Sequence, residues 1–135
     1  MRKNILVIDD CPMMRQFLLK YLSKEYRVTA LEDAYEAFTL LKDGYQPDLI
    51  IVDYNLPEMS GLGFLNHLRI MRTDLDHIPV LMLSGEKSST IRWRCLEAGA
   101  ADFLIKPFFP KELEVRVRNL IQPKFQKNNS TTISQ

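Results

Sequence analysis

Short apolar runs punctuate the chain at Ile5–Ile8, Leu49–Val52, Val80–Leu83 and Phe103–Ile105, with a weaker one at Arg27–Leu31. The four stronger runs do not alternate apolar with polar residues. Continuous Val/Ile/Leu runs suit strands covered on both faces, the situation of a parallel sheet. Longer stretches with helical spacing separate them. Ala34, Ala37, Phe38 and Leu41 fall at i, i+3, i+4 and i+7, one face of a helix. Asp33-x-x-Glu36 forms a capping box at its start, and Gly44 lies just past its end. Phe17, Leu18, Tyr21 and Leu22 make an earlier stripe, and Phe64, Leu65, Leu68 and Met71 a later one with Ser60 as N-cap. Ile91, Cys95 and Ala98 predict a fourth helix closed by Gly99, and Leu113, Val117, Leu120 and Ile121 a fifth.

The order is strand–helix repeated five times. That favours an open, doubly wound α/β sheet over a barrel, which needs eight units and roughly 250 residues. Right-handed crossovers then put helices on both faces. From about Gln122 onward the chain turns polar and aperiodic. The expected organisation is one domain over residues 1–122 and a polar, disordered tail or linker over 123–135.

Composition narrows the function without naming it. Eighteen Lys and Arg against 17 Asp and Glu give a net charge of +1, which disfavours a non-specific nucleic-acid binder. No apolar run reaches the ~18 residues of a membrane span, and the first residues lack a signal peptide's apolar region. A cytoplasmic protein with no membrane partner is expected. Cys11 and Cys95 fit no metal spacing and read as two reduced thiols.

Ligands of doubly wound sheets bind beyond the carboxyl ends of the strands. The residues following the apolar runs are therefore the informative ones. Strand one ends in Asp9-Asp10, strand three in Asp53, strand four in Ser84-Gly85 and strand five in Lys106-Pro107. Each alone has an ordinary explanation as a cap or turn residue. Jointly they are a chemical set. Clustered carboxylates repel one another, and a hard divalent cation such as Mg2+, with its preference for oxygen ligands, relieves the repulsion. Adding a lysine and a hydroxyl gives a receptor for a phosphoryl group. If one carboxylate is the nucleophile, the product is an acyl phosphate on the protein itself.

Asp9-Asp10, VDYNLPEMSG (Val52 to Gly61), LSG (Leu83 to Gly85) and GAADFLIKPF (Gly99 to Phe108) together resemble the receiver domain of two-component response regulators. The resemblance spans about Lys3 to Ile121 and implies a (βα)5, flavodoxin-like fold. It implies that Asp53 is the phosphoacceptor, taking its phosphoryl group from a phosphohistidine of a histidine kinase or phosphotransfer protein. Asp9, Asp10, Asp53 and the Asn55 backbone carbonyl would hold Mg2+, and Lys106 would contact the acyl phosphate. Ser84 and Phe103 fall on the family's switch positions, which remodel the face of helix four, strand five and helix five toward a downstream effector. Lys106–Pro107 would be a cis peptide. Homodimerisation through that same face is carried over too, although Ala101 replaces an acid common in receivers that dimerise this way. Asn55 and Glu86 match the chemotaxis regulator at two positions that tune acyl-phosphate lifetime.

Three rivals are weaker. A phosphatase of the haloacid dehalogenase type wants a second acid two residues beyond its nucleophile, where Asn55 stands. A flavodoxin-like cofactor binder wants a hydroxyl-rich phosphate loop after strand one, where Asp9-Asp10-Cys11-Pro12 would repel phosphate. A degenerate receiver would lack site positions that are all present. Away from the strand ends, His67 and His77 read as solvated or structural. Met13-Met14 reads as core filling or kinase docking, and Trp93, between Arg92 and Arg94, as a binding anchor or a packed rim residue.

Overall fold

A computed structural model describes residues 2–71, 73–75 and 77–122 of the 135-residue chain. Five strands form one parallel sheet in the order β2-β1-β3-β4-β5. They are β1 (Asn4–Ile8), β2 (Arg27–Leu31), β3 (Leu49–Asp53), β4 (Val80–Ser84) and β5 (Asp102–Ile105). Between and after them run α1 (Pro12–Leu22), α2 (Ala34–Lys42), α3 (Gly61–Met71), α4 (Ser89–Glu97) and α5 (Pro110–Ile121), with a short 3-10 turn at Thr73–Leu75.

The period-two geometry of a strand splits its side chains between two cores. Leu6, Ile8, Ile50, Val52, Val80, Met82 and Phe103 face one side, where α2, α3 and α4 cover them. Ile5, Val7, Leu49, Ile51, Leu81, Leu83 and Leu104 face the other, under α1 and α5. Both faces are covered, so the three inner strands read as unbroken apolar runs. β2 is one of the two edge strands and, unlike β5 at the other edge, has no fully buried residue, which explains its weaker pattern.

Local chemistry sets the helix boundaries. The Asp33 carboxylate accepts the Glu36 backbone N–H at 2.8 Å, and Ser60 Oγ accepts that of Gly63 at 3.0 Å. Ser88 caps α4 in the same way, accepting from Ile91 N–H at 3.3 Å. Prolines at the first turns of α1 and α5 replace side-chain caps. Gly44 and Gly99 end α2 and α4 at φ values of +107° and +109°, which a side chain would make costly. The tail expected over 123–135 lies outside the described residues.

As the sequence predicts, β3 ends in Asp53, and β4 ends in Ser84, one residue short of the expected Ser84-Gly85. Each is paired within the sheet: Asp53 lies beside Leu83, and Ser84 beside Ile105. The chemistry is therefore mounted on rigid backbone.

Candidate functional site

β1 and β3 are neighbours, so their carboxyl ends bring Asp9, Asp10 and Asp53 together. One carboxylate oxygen from each lies within 4.8 Å of the others. Asp9 is fully buried and Asp53 is 5% exposed, whereas Asp10 faces solvent. Lys106 reaches in from the end of β5, its Nζ 3.4 Å from Asp9 Oδ2 and 3.4 Å from Asp53 Oδ1. One ammonium faces three carboxylates, and Asp53 is held above its ordinary titration range. Burial, then the Asp9 charge, push its carboxyl above the ordinary value. Lys106 and the Asn55 backbone N–H, 3.3 Å from Oδ1, pull the other way without cancelling the rise.

The surroundings fix these groups in place. Asp9 Oδ1 accepts the Cys11 backbone N–H at 2.9 Å. The Asp9 carbonyl accepts from Arg15 Nη1 at 2.8 Å, and Arg15 Nη2 in turn lies 3.7 Å from Glu32. The sequence reading did not single out Arg15. Arg15 lies one turn into α1 after Pro12 and faces back to the strand end. Buried Ser84 accepts the Glu86 backbone N–H on its Oγ at 2.9 Å, and its carbonyl accepts from Lys106 N–H at 2.7 Å. Phe103 is 4% exposed within the α2–α3–α4 core, and the Lys106–Pro107 peptide is cis.

Other singled-out residues separate from this cluster. His67 rests on the Phe38 ring at 4.5 Å between centroids, away from the strand ends. Met14 packs on the α1–α5 core while Met13 is 81% exposed, so only one of the pair fills the core. Trp93 is exposed on α4 and not packed at a rim. Cys11 is an exposed and Cys95 a buried free thiol.

The donor set suits a hard cation: three carboxylate oxygens close together, two buried and one open to water. That combination would suit an ion that keeps several of its waters. The close approach of β3 and α3 also depends on Gly61. A Cβ there would lie 2.5 Å from Met82 Sδ and 2.9 Å from the Asp53 carbonyl oxygen.

Sheet order and the polar row at the strand ends define a phosphorelay-type signalling domain. The family model for the response regulator receiver domain matches residues 5–118, and the chain belongs to that family. It is a domain of two-component signal transduction. The chain is 38% identical over 111 residues to two-component response regulator ORR3 of Oryza sativa subsp. indica, covering 82% of this chain and 84% of that protein. It is 36% identical over 121 residues to sensor histidine kinase TmoS of Ectopseudomonas mendocina, covering 90% of this chain. It spans 12% of the length of TmoS and 8% of that of hybrid signal transduction histidine kinase D of Dictyostelium discoideum. Chemotaxis response regulator CheY4 of Vibrio cholerae superposes with a TM-score of 0.81 at 30% identity, over 89% of this chain and 99% of that one. Among the described residues, no helix is long and apolar enough to cross a membrane.

Proposed function

We propose that Asp53 accepts a phosphoryl group from a phosphohistidine of a histidine kinase or phosphotransfer protein, and that the acyl phosphate switches the α4–β5–α5 face toward a downstream effector. The observation that carries this reading is the position of the Asp53 carboxylate. It is nearly buried, 3.4 Å from Lys106 and among the carboxylates of Asp9 and Asp10. An Asp53 oxygen attacks phosphorus, the phosphorus–nitrogen bond breaks, and the imidazole leaves with the electron pair and is protonated. Lys106 moves with the charge, since its ammonium already bridges Asp9 and Asp53 and can pair with a phosphoryl oxygen instead. Asp9, Asp10, Asp53 and the Asn55 carbonyl would hold Mg2+, which supplies neutralising charge for the phosphoryl oxygens when bound.

Switching follows from the hydroxyl next door. Ser84 Oγ, now an acceptor for Glu86 N–H, is free to donate to a new phosphoryl oxygen, and Phe103 answers that move within the core. A homodimer through the same face belongs to this reading. Asp102 and Glu112 enter it already paired with Arg116, at 2.8 and 3.2 Å. A cytoplasmic location also accompanies it.

The test is intact-mass measurement after incubation with acetyl phosphate and Mg2+. The expected result is a base-labile phosphoryl adduct that needs both the metal and Asp53, and that vanishes in Asp53→Asn. An unmodified wild-type chain, under conditions that label another receiver, would refute the proposal.

A further inference from the structure

The backbone of Asp9 is held at both its polar groups. Its N–H donates to the Leu31 carbonyl at the end of β2, 3.0 Å away, and its carbonyl accepts from Arg15 Nη1 at 2.8 Å. Glu32 follows Leu31 in the chain, and its Oε1 lies 3.7 Å from Arg15 Nη2. These contacts close a ring. It runs from Asp9 to Leu31 by a backbone bond, to Glu32 along the chain, to Arg15 through charge, and back to the Asp9 carbonyl. The end of β1, the end of β2 and the start of α1 all meet in it. Arg15 is itself anchored in the helix, since its backbone N–H donates to the Cys11 carbonyl at 3.0 Å. The ring has an inner and an outer contact, because the Arg15 side chain is 21% exposed and that of Glu32 63%.

The held carbonyl belongs to the peptide that joins Asp9 to Asp10. Turning that peptide would carry the Asp10 carboxylate away from those of Asp9 and Asp53. Charge alone gives no reason for an arginine here. Lys106 already supplies an ammonium 3.4 Å from both Asp9 and Asp53, and a further cation beside the cluster would repel a divalent ion. The hydrogen bond to the Asp9 carbonyl does give one.

We propose that Arg15, backed by Glu32, is a positioning residue for the acidic pair, and that it raises the affinity of the Asp9, Asp10 and Asp53 cluster for Mg2+ by fixing the Asp9–Asp10 peptide. The inference rests on the Mg2+ reading of that cluster in the proposed function. Neither side chain is a metal ligand. Both act on the backbone that carries the ligands, and partners one step removed from a metal are typically worth about 10–100-fold in affinity. The planar guanidinium suits the task, because one nitrogen can hold the carbonyl while another is held by Glu32. An exposed ion pair is weak by itself, so Glu32 contributes less than Arg15.

Position and charge predict opposite signs, which makes the test direct. Mg2+ is titrated into the unphosphorylated chain and followed by the NMR shift of the Cys11 amide, whose bond to Asp9 Oδ1 makes it a reporter on that carboxylate. Arg15→Met keeps the side-chain length but removes the charge and the donors. It is expected to weaken Mg2+ binding about tenfold, whereas loss of a repelling cation alone would tighten it. Arg15→Lys keeps the charge and one donor but not the fork. It is expected to fold and to weaken binding about threefold, where charge alone predicts no change; this variant carries the test if Arg15→Met does not fold. Glu32→Gln is expected to weaken binding about twofold in the wild type and not at all in the Arg15→Met background, because its effect runs through Arg15. Urea denaturation of the same samples in EDTA separates loss of folding from loss of affinity. Unchanged or tighter Mg2+ binding in a folded arginine variant, or a Glu32→Gln effect equal with and without Arg15, would overturn this inference while the Mg2+ reading stands. A wild-type chain that binds no Mg2+ would overturn both.

Discussion

Asp53→Asn should make the metal-free protein more stable. The substitution keeps the side-chain shape and the oxygen that accepts the Asn55 N–H, while deleting one charge. At an effective dielectric near 20, two like charges at 4.8 Å cost about 3.5 kcal/mol, and opposite charges at 3.4 Å gain about 5 kcal/mol. Asp53 has two repulsive neighbours at up to 4.8 Å and one attractive neighbour at 3.4 Å. The repulsions therefore prevail by about 2 kcal/mol. Asp10 is exposed and its share is screened, so the charge terms come close to cancelling, and relief of the burial penalty on the Asp53 carboxylate gives the gain its sign, an expected rise of about 1 kcal/mol or less.

The pH dependence supplies the sign. The folded Asp53 carboxyl titrates above its ordinary value of 3.8, so the folded state holds this proton more tightly than the unfolded chain does. As pH rises from below 3.8 through the raised value, the unfolded chain releases its proton first and stability falls. Glu114 works in the opposite sense, because its hydrogen bond from Tyr21 lowers its carboxyl, so the difference between wild type and Asp53→Asn isolates the Asp53 contribution. Urea denaturation in EDTA from pH 4 to 8 should show the variant's advantage growing across that window and then levelling. Added Mg2+ should close the gap by stabilising the wild type through binding. A variant no more stable than wild type in EDTA near pH 7.5, with an unchanged m-value, would refute the electrostatic account of this site.

Asp10→Asn should raise metal-free stability by less than about 1 kcal/mol, given its exposure, and weaken Mg2+ binding about tenfold by calorimetry; a sharp loss of metal-free stability would instead make the acidic pair chiefly structural. Gly61→Ala should destabilise the fold by about 2 kcal/mol in urea titration, because its Cβ would meet Met82, the Asp53 carbonyl and the Tyr54 Cα within 2.9 Å. Ser84→Ala should cost about 1 kcal/mol through the unsatisfied Glu86 N–H. It should still accept phosphate by intact mass yet lose the change in Trp93 emission that the proposed remodelling of the α4–β5–α5 face is expected to produce in the phosphorylated wild type, separating transfer from switching.

The fold was legible because burial on both sheet faces leaves a continuous apolar run, and β1, β3 and β4 each carry one. β2 was faint for the complementary reason: it is the edge strand with no fully buried position and so tolerates Arg27 and Thr29. The acidic cluster could be read because Asp9, Asp10 and Asp53 immediately follow or end apolar runs, where the fold class already places ligands. The supports of Asp9 could not be read in the same way. Arg15 acts on a backbone carbonyl six residues earlier, and no pattern of residue types marks such a bond. The exposure of Trp93 was equally hidden, because helical spacing fixes its direction only once the buried side is known to be that of Cys95.

Strand order also explains why the site's cation is a lysine and why the residue between is small. Neighbouring strands lie about 4.8 Å apart, so β5 is roughly 9.5 Å from β3 across β4. A cation that starts at β5 and must reach carboxylates on β3 and β1 needs a long stem that passes over the end of β4. Lys106 makes that reach, contacting Asp53 and Asp9 at 3.4 Å each. The residue at the end of β4 is Ser84, fully buried, with its hydroxyl oriented by Glu86 N–H. A large side chain there would obstruct the lysine, whereas a serine both clears the path and presents a hydroxyl beside it. The row of Asp9, Asp53, Ser84 and Lys106 along the carboxyl end of the sheet thus places two anions, the hydroxyl and the cation on four successive strands, β1, β3, β4 and β5. A phosphoryl group bonded to Asp53 would present its remaining oxygens to the hydroxyl and the ammonium from a single position above β3 and β4.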